Sequence, residues 1–315
     1  MTRSANYKAK SLYIGAMEPK KLESYLDLYH AAARPALYSA PWWLDATCGG
    51  GGWDTVFQYD DAGSMIAALP YGHTRIRGLS AVITPPFTQW VSALQKNAEQ
   101  QPDLPYLLSK LPRASIMDLS IKPDGSQPLI TTALKYSYII PTDVHPDQIR
   151  SGYNEGLRRN IRQAEKEYLI NSSDDIKVFL SLCQQSYSAQ KLNPPKWLDR
   201  VVPDIFKELI SRKCGNLTIA GWKGKPIAGI LTAWDQDTCY YLAGGRTSDD
   251  EGASAHALLL DQAIHSARVR GLSFDFEGSM HPGIANFFQS FGAIPMAYWN
   301  MRRYHGLGRL WALIQ

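Results

Sequence analysis

The chain has 315 residues, a formal net charge of +4, 45 % hydrophobic residues and 20 % charged residues. That length holds two domains of ordinary size, the mixture is that of a globular protein, and so small a charge gives no independent reason to expect a nucleic-acid ligand. Cys48, Cys183, Cys214 and Cys239 lie far apart with no C-x-x-C pair, which argues against a zinc site or a disulfide framework, predicts no metal, and fits reduced thiols in a cytoplasm.

The first fifteen residues, "MTRSANYKAKSLYIG", contain no apolar core of a secretory signal, and no apolar run approaches the roughly 20 residues that span a bilayer. A cytoplasmic protein without stable membrane insertion is expected. "MEPKKLESYLDLYHAA" reads as a helix. In "PWWLDATCGGGGWD" four glycines make a flexible loop rather than a phosphate cradle, because no Lys-Ser/Thr follows; Trp42 and Trp43 pack a core or line a substrate entrance. "DTVFQYDDAGSMIAALPY" (Asp54 to Tyr71) is two β-rich runs around turn chemistry, Asp60-Asp61-Ala62-Gly63. In "ITPPFTQW" two prolines end a strand abruptly. Thr84, Thr88, Gln89 and Trp90 cluster there, either as a sugar or peptide groove beside an indole or as a plain strand exit. A helical stretch "DLPYLLSKLP", a strand "ASIMDLSI", a short apolar stretch "PLITTAL" and a strand "YSYIIPT" follow.

Next comes "IRSGYNEGLRRNIRQAEKEYL". Leu157, Ile161, Ala164 and Tyr168 share one helical face, while Arg158, Arg162 and Lys166 recur at i, i+4, i+8 with Arg159 beside them. This predicts a linker helix at about 153–169. Its basic face is either solvated and eased by Glu155, Glu165 and Glu167, or a phosphate contact. Helices "SDDIKVFLSLCQQSY" and "VVPDIFKELISRK" lead to a second hairpin, "LTIAGWKGKPIAGILTAW" (Leu217 to Trp234), which aligns with the first without gaps: Tyr59 with Trp222, Tyr71 with Trp234. The order after it also repeats: strand "CYYLAGG", a helix from about Ala253 to Arg270, strand "LSFDFEG", helix "IANFFQSFGA", strand "PMAYWNMRR". The reading is an α/β (α+β) protein of two tandem units, 1–145 and 146–315, each a mixed, mostly antiparallel sheet flanked by helices.

The chemistry concentrates in the second unit. Gly244 and Gly245 end a strand, and Gly252, Ala253 and Ser254 open a helix. Small residues there let a ligand approach the backbone, and free N–H groups favour an anion; a loop before a core helix has the same pattern. Tyr240 and Tyr241 are adjacent on a strand, so one points inward. In "FDFEGSMHPGIANFFQSFGA", strand alternation puts Asp275 and Glu277 on one face. Two unpaired buried acids would be costly. They therefore line a polar cleft or pair with Arg246, Arg270 or Arg302. Ser279 and His281 follow in the turn, His281 more in keeping with a surface position.

The two-copy layout, with "LRRNIRQAEK" (Leu157 to Lys166), "GASAHALLLDQAIHSARVRGLSFDFEGS" and "FFQSFGA", resembles the tandem GNAT-fold acyltransferases related to the Fem family. Those enzymes join amino acids from aminoacyl-tRNA to peptidoglycan precursors. The resemblance implies an acyl or aminoacyl transferase acting on an amine of a cell-envelope precursor, peptidoglycan or polysaccharide, carried on a lipid or nucleotide. Acyl-CoA or aminoacyl-tRNA would be the donor, and tRNA a partner. Glu277 would orient or deprotonate the amine with Tyr241 beside it. Arg158, Arg159 and Arg162 would meet phosphate, and Thr84, Trp90, Gly244, Gly245, Gly252 and Ser254 would contact substrate. The chain departs from the acyl-CoA loop (Gln/Arg)-x-x-Gly-x-(Gly/Ala): Gly252 fills the glycine slot, but Asp249 and Ser254 flank it. An acid there disfavours pyrophosphate. A CoA-dependent N-acyltransferase for an amino sugar or small amine, and a non-catalytic binding module on the same fold, are the rival readings.

Overall fold

The computed structural model describes residues 17–97, 101–122, 133–278 and 280–312. The N-terminal stretch, most of "PLITTAL" and Ser279 lie outside the described residues. The chain forms two compact units, Met1–Ala133 with Trp299–Gln315, and Leu134–Tyr298.

The first unit opens with helices α1 (Pro19–Ala31) and α2 (Pro41–Cys48), each with proline in its first turn, where a missing N–H is harmless. Strands β1 (Trp53–Tyr59) and β2 (Met65–Ile76) form the first expected hairpin, with Asp54 opposite Tyr71. Its turn is held by Asp60, whose Oδ1 accepts from the Ala62 and Ser64 amides, and by Gly63 at φ 77°. Strand β3 (Leu79–Ile83) runs antiparallel to β2, and the short β4 (Leu94–Gln95) also pairs with β2. After α3 (Leu104–Ser109), β5 (Ile116–Ile121) lies parallel to β3.

In the second unit, β6 (Ala133–Ile140) precedes α4 (Glu155–Glu167), β7 (Leu169–Ser172), α5 (Ile176–Ala189), α6 (Trp197–Arg200) and α7 (Val202–Arg212). Strands β8 (Gly215–Trp222), β9 (Lys225–Trp234) and β10 (Thr238–Arg246) are successively antiparallel, with β7 on the far side of β8. Helix α8 (Asp250–Val269) crosses to β11 (Ser273–Asp275), which is parallel to β10 and antiparallel to β6. Helix α9 (Pro282–Gln289), β12 (Ile294–Tyr304) and α10 (Leu307–Ala312) end the chain.

The two hairpins hold equivalent places in their sheets: hairpin, third antiparallel strand, then a parallel strand reached through helix. The closing strand departs from the chain-order expectation. The strand "YSYIIPT", read as the end of the first unit, is β6 and pairs with β11 of the second. The C-terminal part of β12, Trp299–Tyr304, pairs antiparallel with β5 of the first unit. The boundary therefore falls between Ala133 and Leu134 rather than at 145, and the C-terminal segment belongs with the N-terminal unit. Period-two alternation marks a strand's faces but not its neighbour.

The linker helix forms as expected within the second unit. Asn154 caps α4 by accepting from the Leu157 amide at 2.7 Å, and Leu157, Ile161 and Ala164 are buried. They join a core with Phe274, Phe276, Phe288 and Phe291. Arg150 fastens this region to α8: its Nε lies 3.0 Å from Asp261 Oδ1, and its Nη2 reaches both Asp261 and Glu165. Asp261 is only 2 % exposed. A planar guanidinium gripping a buried carboxylate at two points is a strong, directional contact.

Candidate active site

The site is built where β10 and β11 part. The two strands pair only over Thr238–Tyr240 and Ser273–Asp275, whereas β10 keeps its pairing with β9 as far as Arg246. The strand β11 is shorter than "LSFDFEG" predicts because Glu277 (φ 62°) and Gly278 (φ 70°) are both left-handed, which extended backbone cannot accommodate. A Cβ at Gly278 would run into the Tyr136 carbonyl and the Ser137 backbone. Glycine is thus required there, and the non-glycine Glu277 is held in a conformation of higher energy.

The two acids on this strand have different environments. Asp275 is 1 % exposed and accepts hydrogen bonds from the Ser137 hydroxyl and, at 2.7 Å, from the Glu277 amide. Its role is to shape the turn. Glu277 as a residue is partly exposed, but its Oε1 is enclosed and has no hydrogen-bond partner among the described residues. Burial pushes its carboxyl well above the ordinary range, favouring the protonated form. The Tyr298 phenol is pushed up to about 12, chiefly by burial and then by the charges of Glu277 and Asp275. The arginines considered as partners are engaged elsewhere: Arg246 Nη1 donates to the Thr247 carbonyl, Arg270 lies 4.0 Å over the Trp234 ring, and Arg302 pairs with Asp118.

Of the adjacent tyrosines, Tyr240 points inward, 3 % exposed, with its hydroxyl donating to Asp235 at 2.8 Å. Tyr241 takes the other direction and meets His256 of α8, Oη to Nε2 at 2.9 Å. His256 stacks on Phe287, and Tyr241 meets Phe288 edge-on. Burial lowers the His256 pKa to about 4, with Arg246 adding to it, so the imidazole is neutral at pH 7. Burial likewise raises the Tyr241 phenol, as do Cys183 and Tyr187, against a smaller opposing effect of Arg246. Nothing in the reading of the sequence selected His256. Its signal was available only as a histidine two residues after Ser254, flanked by alanine and leucine.

The glycines divide. Gly244 adjoins the pair: a Cβ there would overlap both the Tyr241 hydroxyl and the His256 ring. Gly245 is not a ligand contact, because a Cβ there would strike the backbone of α5 at Leu182 and Cys183. The expected anion site at Gly252 is already filled. Asp249 caps α8, its Oδ1 accepting from the Gly252 amide at 2.8 Å and from the Thr247 hydroxyl at 2.6 Å. These bonds hold its carboxyl below the ordinary range. Ser254 lies beside the Tyr168 phenol.

The expected groove at Thr84 and Trp90 is not formed. Trp90 is 2 % exposed, packed against Tyr38 in the core of the first unit, and Thr84 Oγ1 accepts from the Ser120 amide at 2.7 Å. The prolines of "ITPPFTQW" end a strand, and the indole behind them is core. Trp43 is also fully buried. The α4 arginines remain on the outer side of their helix. Arg159 and Arg162 are exposed and Arg158 partly so, with Arg162 Nε donating to the Arg158 carbonyl. His281 is exposed at the N-terminus of α9.

Residues 151–287 match the model of the acetyltransferase (GNAT) domain, a span that contains the strand split and the Tyr241–His256 pair. A solved structure of FemX superposes with a TM-score of 0.66 at 13 % identity, covering 93 % of this chain and 98 % of that one. The chain shares the FemX fold, with the GNAT-domain match in its second unit. The C-terminal domain of a putative lysylphosphatidylglycerol synthetase from Agrobacterium fabrum is similar, with TM-score 0.55, 11 % identity, and 94 % and 95 % of the two chains covered. So is L-PGS from Bacillus licheniformis, with TM-score 0.55, 13 % identity, and 96 % and 98 % covered. No curated protein matches the sequence. No described helix is long and apolar enough to cross a membrane, and among the described residues no cluster of three or more His, Cys, Asp or Glu could hold a metal.

Proposed function

We propose that the protein transfers an aminoacyl group to an amine of a cell-envelope precursor, with the chemistry in the second unit. The observation that carries this is Glu277: a carboxyl oxygen enclosed without a partner among the described residues, on strained backbone, where β11 stops and β10 runs on. An arriving amine supplies the missing partner. Amide formation requires the amine to lose a proton, and a carboxyl poised beside it accepts that proton once the amine's positive charge stabilises the carboxylate.

Two further features support the choice of donor and acceptor. Asp249 occupies the N-terminus of α8 with a negative charge, which disfavours a CoA pyrophosphate there and favours aminoacyl-tRNA over acyl-CoA. The exposed arginines of α4 suit a phosphate-bearing acceptor, lipid- or nucleotide-linked. The structural likeness to FemX and to proteins named for lysylphosphatidylglycerol synthesis agrees with aminoacyl transfer. The test is to incubate the purified chain with labelled aminoacyl-tRNA or acetyl-CoA, together with a nucleotide-linked muropeptide or phosphatidylglycerol vesicles, and to read the amide or ester product by mass. Transfer from aminoacyl-tRNA that drops about 100-fold in Glu277→Gln supports the reading. Transfer from acetyl-CoA alone gives the CoA-dependent enzyme, and no transfer from either donor leaves a binding module.

A further inference from the structure

Four neighbouring strands of the first unit end together in a basic surface. Strand β2 is antiparallel to β3, β3 parallel to β5, and β5 antiparallel to β12. The C-termini of β2 and β12 and the N-termini of β3 and β5 therefore share one end of adjacent strands. It is the end away from the carboxyl termini of the parallel pair β3–β5, which correspond to the site-forming ends of β10 and β11 in the second unit. Ser115 ties the junction together. Its amide donates to the Ser80 hydroxyl at 3.1 Å, and its carbonyl accepts from the His305 amide at 2.9 Å. A Cβ at Gly308 would overlap that same carbonyl, so glycine lets α10 begin against β5. Arg75, Arg77, Lys110, Arg113 and Arg309 are exposed on these segments, and Arg303 is half-buried. Residues 72–83, 110–117 and 303–312 hold six Lys and Arg and no Asp or Glu, against a net charge of +4 for the entire chain, so the remainder is net acidic. Asp118, next along β5, is already paired with Arg302 and Asn300. Among the arginines stands Leu307, 66 % exposed.

We propose that this strand end is a docking surface for an anionic lipid bilayer, with the arginines at phosphate level and Leu307 reaching the acyl boundary. Charge and that leucine together choose the occupant. Guanidinium groups match phosphate oxygens, and each basic residue close to an anionic leaflet adds to the attraction. Four strands about 4.8 Å apart spread their ends over about 15 Å, wide enough to meet more than one lipid headgroup. An exposed leucine set among cations is unfavourable in water and favourable at the boundary between headgroups and acyl chains. RNA has phosphates for the arginines but nothing for the leucine. No described helix is long and apolar enough to cross a membrane, and a peripheral contact of this kind needs none. The proposal stands apart from the acyl-transfer reading, because vesicle binding is measured without turnover and neither result decides the other.

The experiment is co-sedimentation of the full chain with vesicles of phosphatidylcholine alone and of phosphatidylcholine with phosphatidylglycerol, at low and high salt. Wild type is expected to bind only the anionic vesicles and to lose affinity as salt rises. The triple variant Arg77→Gln/Arg113→Gln/Arg309→Gln should lower that affinity about 100-fold, roughly fivefold for each charge removed. Leu307→Ser should lower it severalfold, a loss that an RNA surface would not show. All four positions are exposed, so the melting temperatures of these variants should stay within a few degrees of wild type. Binding of a soluble nucleotide-linked muropeptide should be unchanged in the triple variant, which separates this surface from the arginines of α4. Equal binding of wild type to neutral and anionic vesicles, no binding at low salt, or a triple variant that sediments like wild type would overturn the proposal. Full vesicle affinity in Leu307→Ser, together with transfer-RNA binding that depends on the three arginines, would make this a surface for RNA and overturn the choice of a bilayer.

Discussion

Glu277 shows how one side chain is set against its own fold. It is a non-glycine residue at positive φ with an enclosed, unpartnered carboxyl oxygen, and each of these is destabilising. Burial raises its folded-state pKa above the ordinary 4.5. Between 4.5 and the raised value the folded protein therefore holds a proton that the unfolded chain releases, and stability falls as pH rises. Glu277→Gln removes that dependence. The variant should melt higher than wild type at pH 8, with a smaller difference at pH 5; thermal melts at the two pH values check it, and a lower melting temperature at pH 8 would contradict the enclosure of the carboxyl. His256 has the opposite linkage. Its folded pKa of about 4 lies below the ordinary 6.5, so the unfolded state binds the extra proton, and stability is lost as pH falls from 6.5 toward 4. His256→Gln should flatten the acid side of the melting profile over that window.

At the scale of elements, two helices have contrasting faces. Helix α4 lays Leu157, Ile161 and Ala164 on the core and turns Arg158, Arg159 and Arg162 outward. Reversing Arg158 and Arg162 to Glu should leave the melting temperature within a few degrees, because exposed charges contribute little to stability. It should weaken binding of a nucleotide-linked muropeptide or of phosphatidylglycerol vesicles at least tenfold at low salt, with wild-type binding also weakening as salt rises. Equal affinity for wild type and variant would make the arginines a solvated face only. Helix α8 presents Asp249 at its N-terminus in place of a free anion site. Asp249→Ala should cost about 1 kcal/mol of stability through the lost cap. If the capping carboxylate is what disfavours pyrophosphate, the same change should raise affinity for CoA in a calorimetric titration.

At the scale of the whole molecule, the closing strands tie sequence ends to distant partners. Trp299–Tyr304 complete the first unit beside β5, with Met301 buried there and Asn300 and Arg302 both donating to Asp118. Deleting Trp299–Gln315 strips β5 of an antiparallel neighbour and uncovers Met301's site, a loss of at least about 2 kcal/mol from apolar burial alone. Hydrogen exchange should then show lost protection across β3 and β5; unchanged protection would mean that the pairing is dispensable. The repeated order of elements, the equivalent hairpins and the apolar stripe of α4 were legible along the chain because each rests on local periodicity and turn chemistry. Glu277 was singled out by its place at a strand end, and Tyr241 by its neighbour's inward direction. Trp90 and Thr84 were misplaced, since an indole beside polar residues looks the same in a groove as in a core. His256 stayed invisible because its meaning is its contact with a residue fifteen positions away. Which strand closes which unit, which acid is partnered and which is left alone, and what fills a helix N-terminus are all settled by non-local pairing. Alternation and composition fix a residue's face but not what stands opposite it.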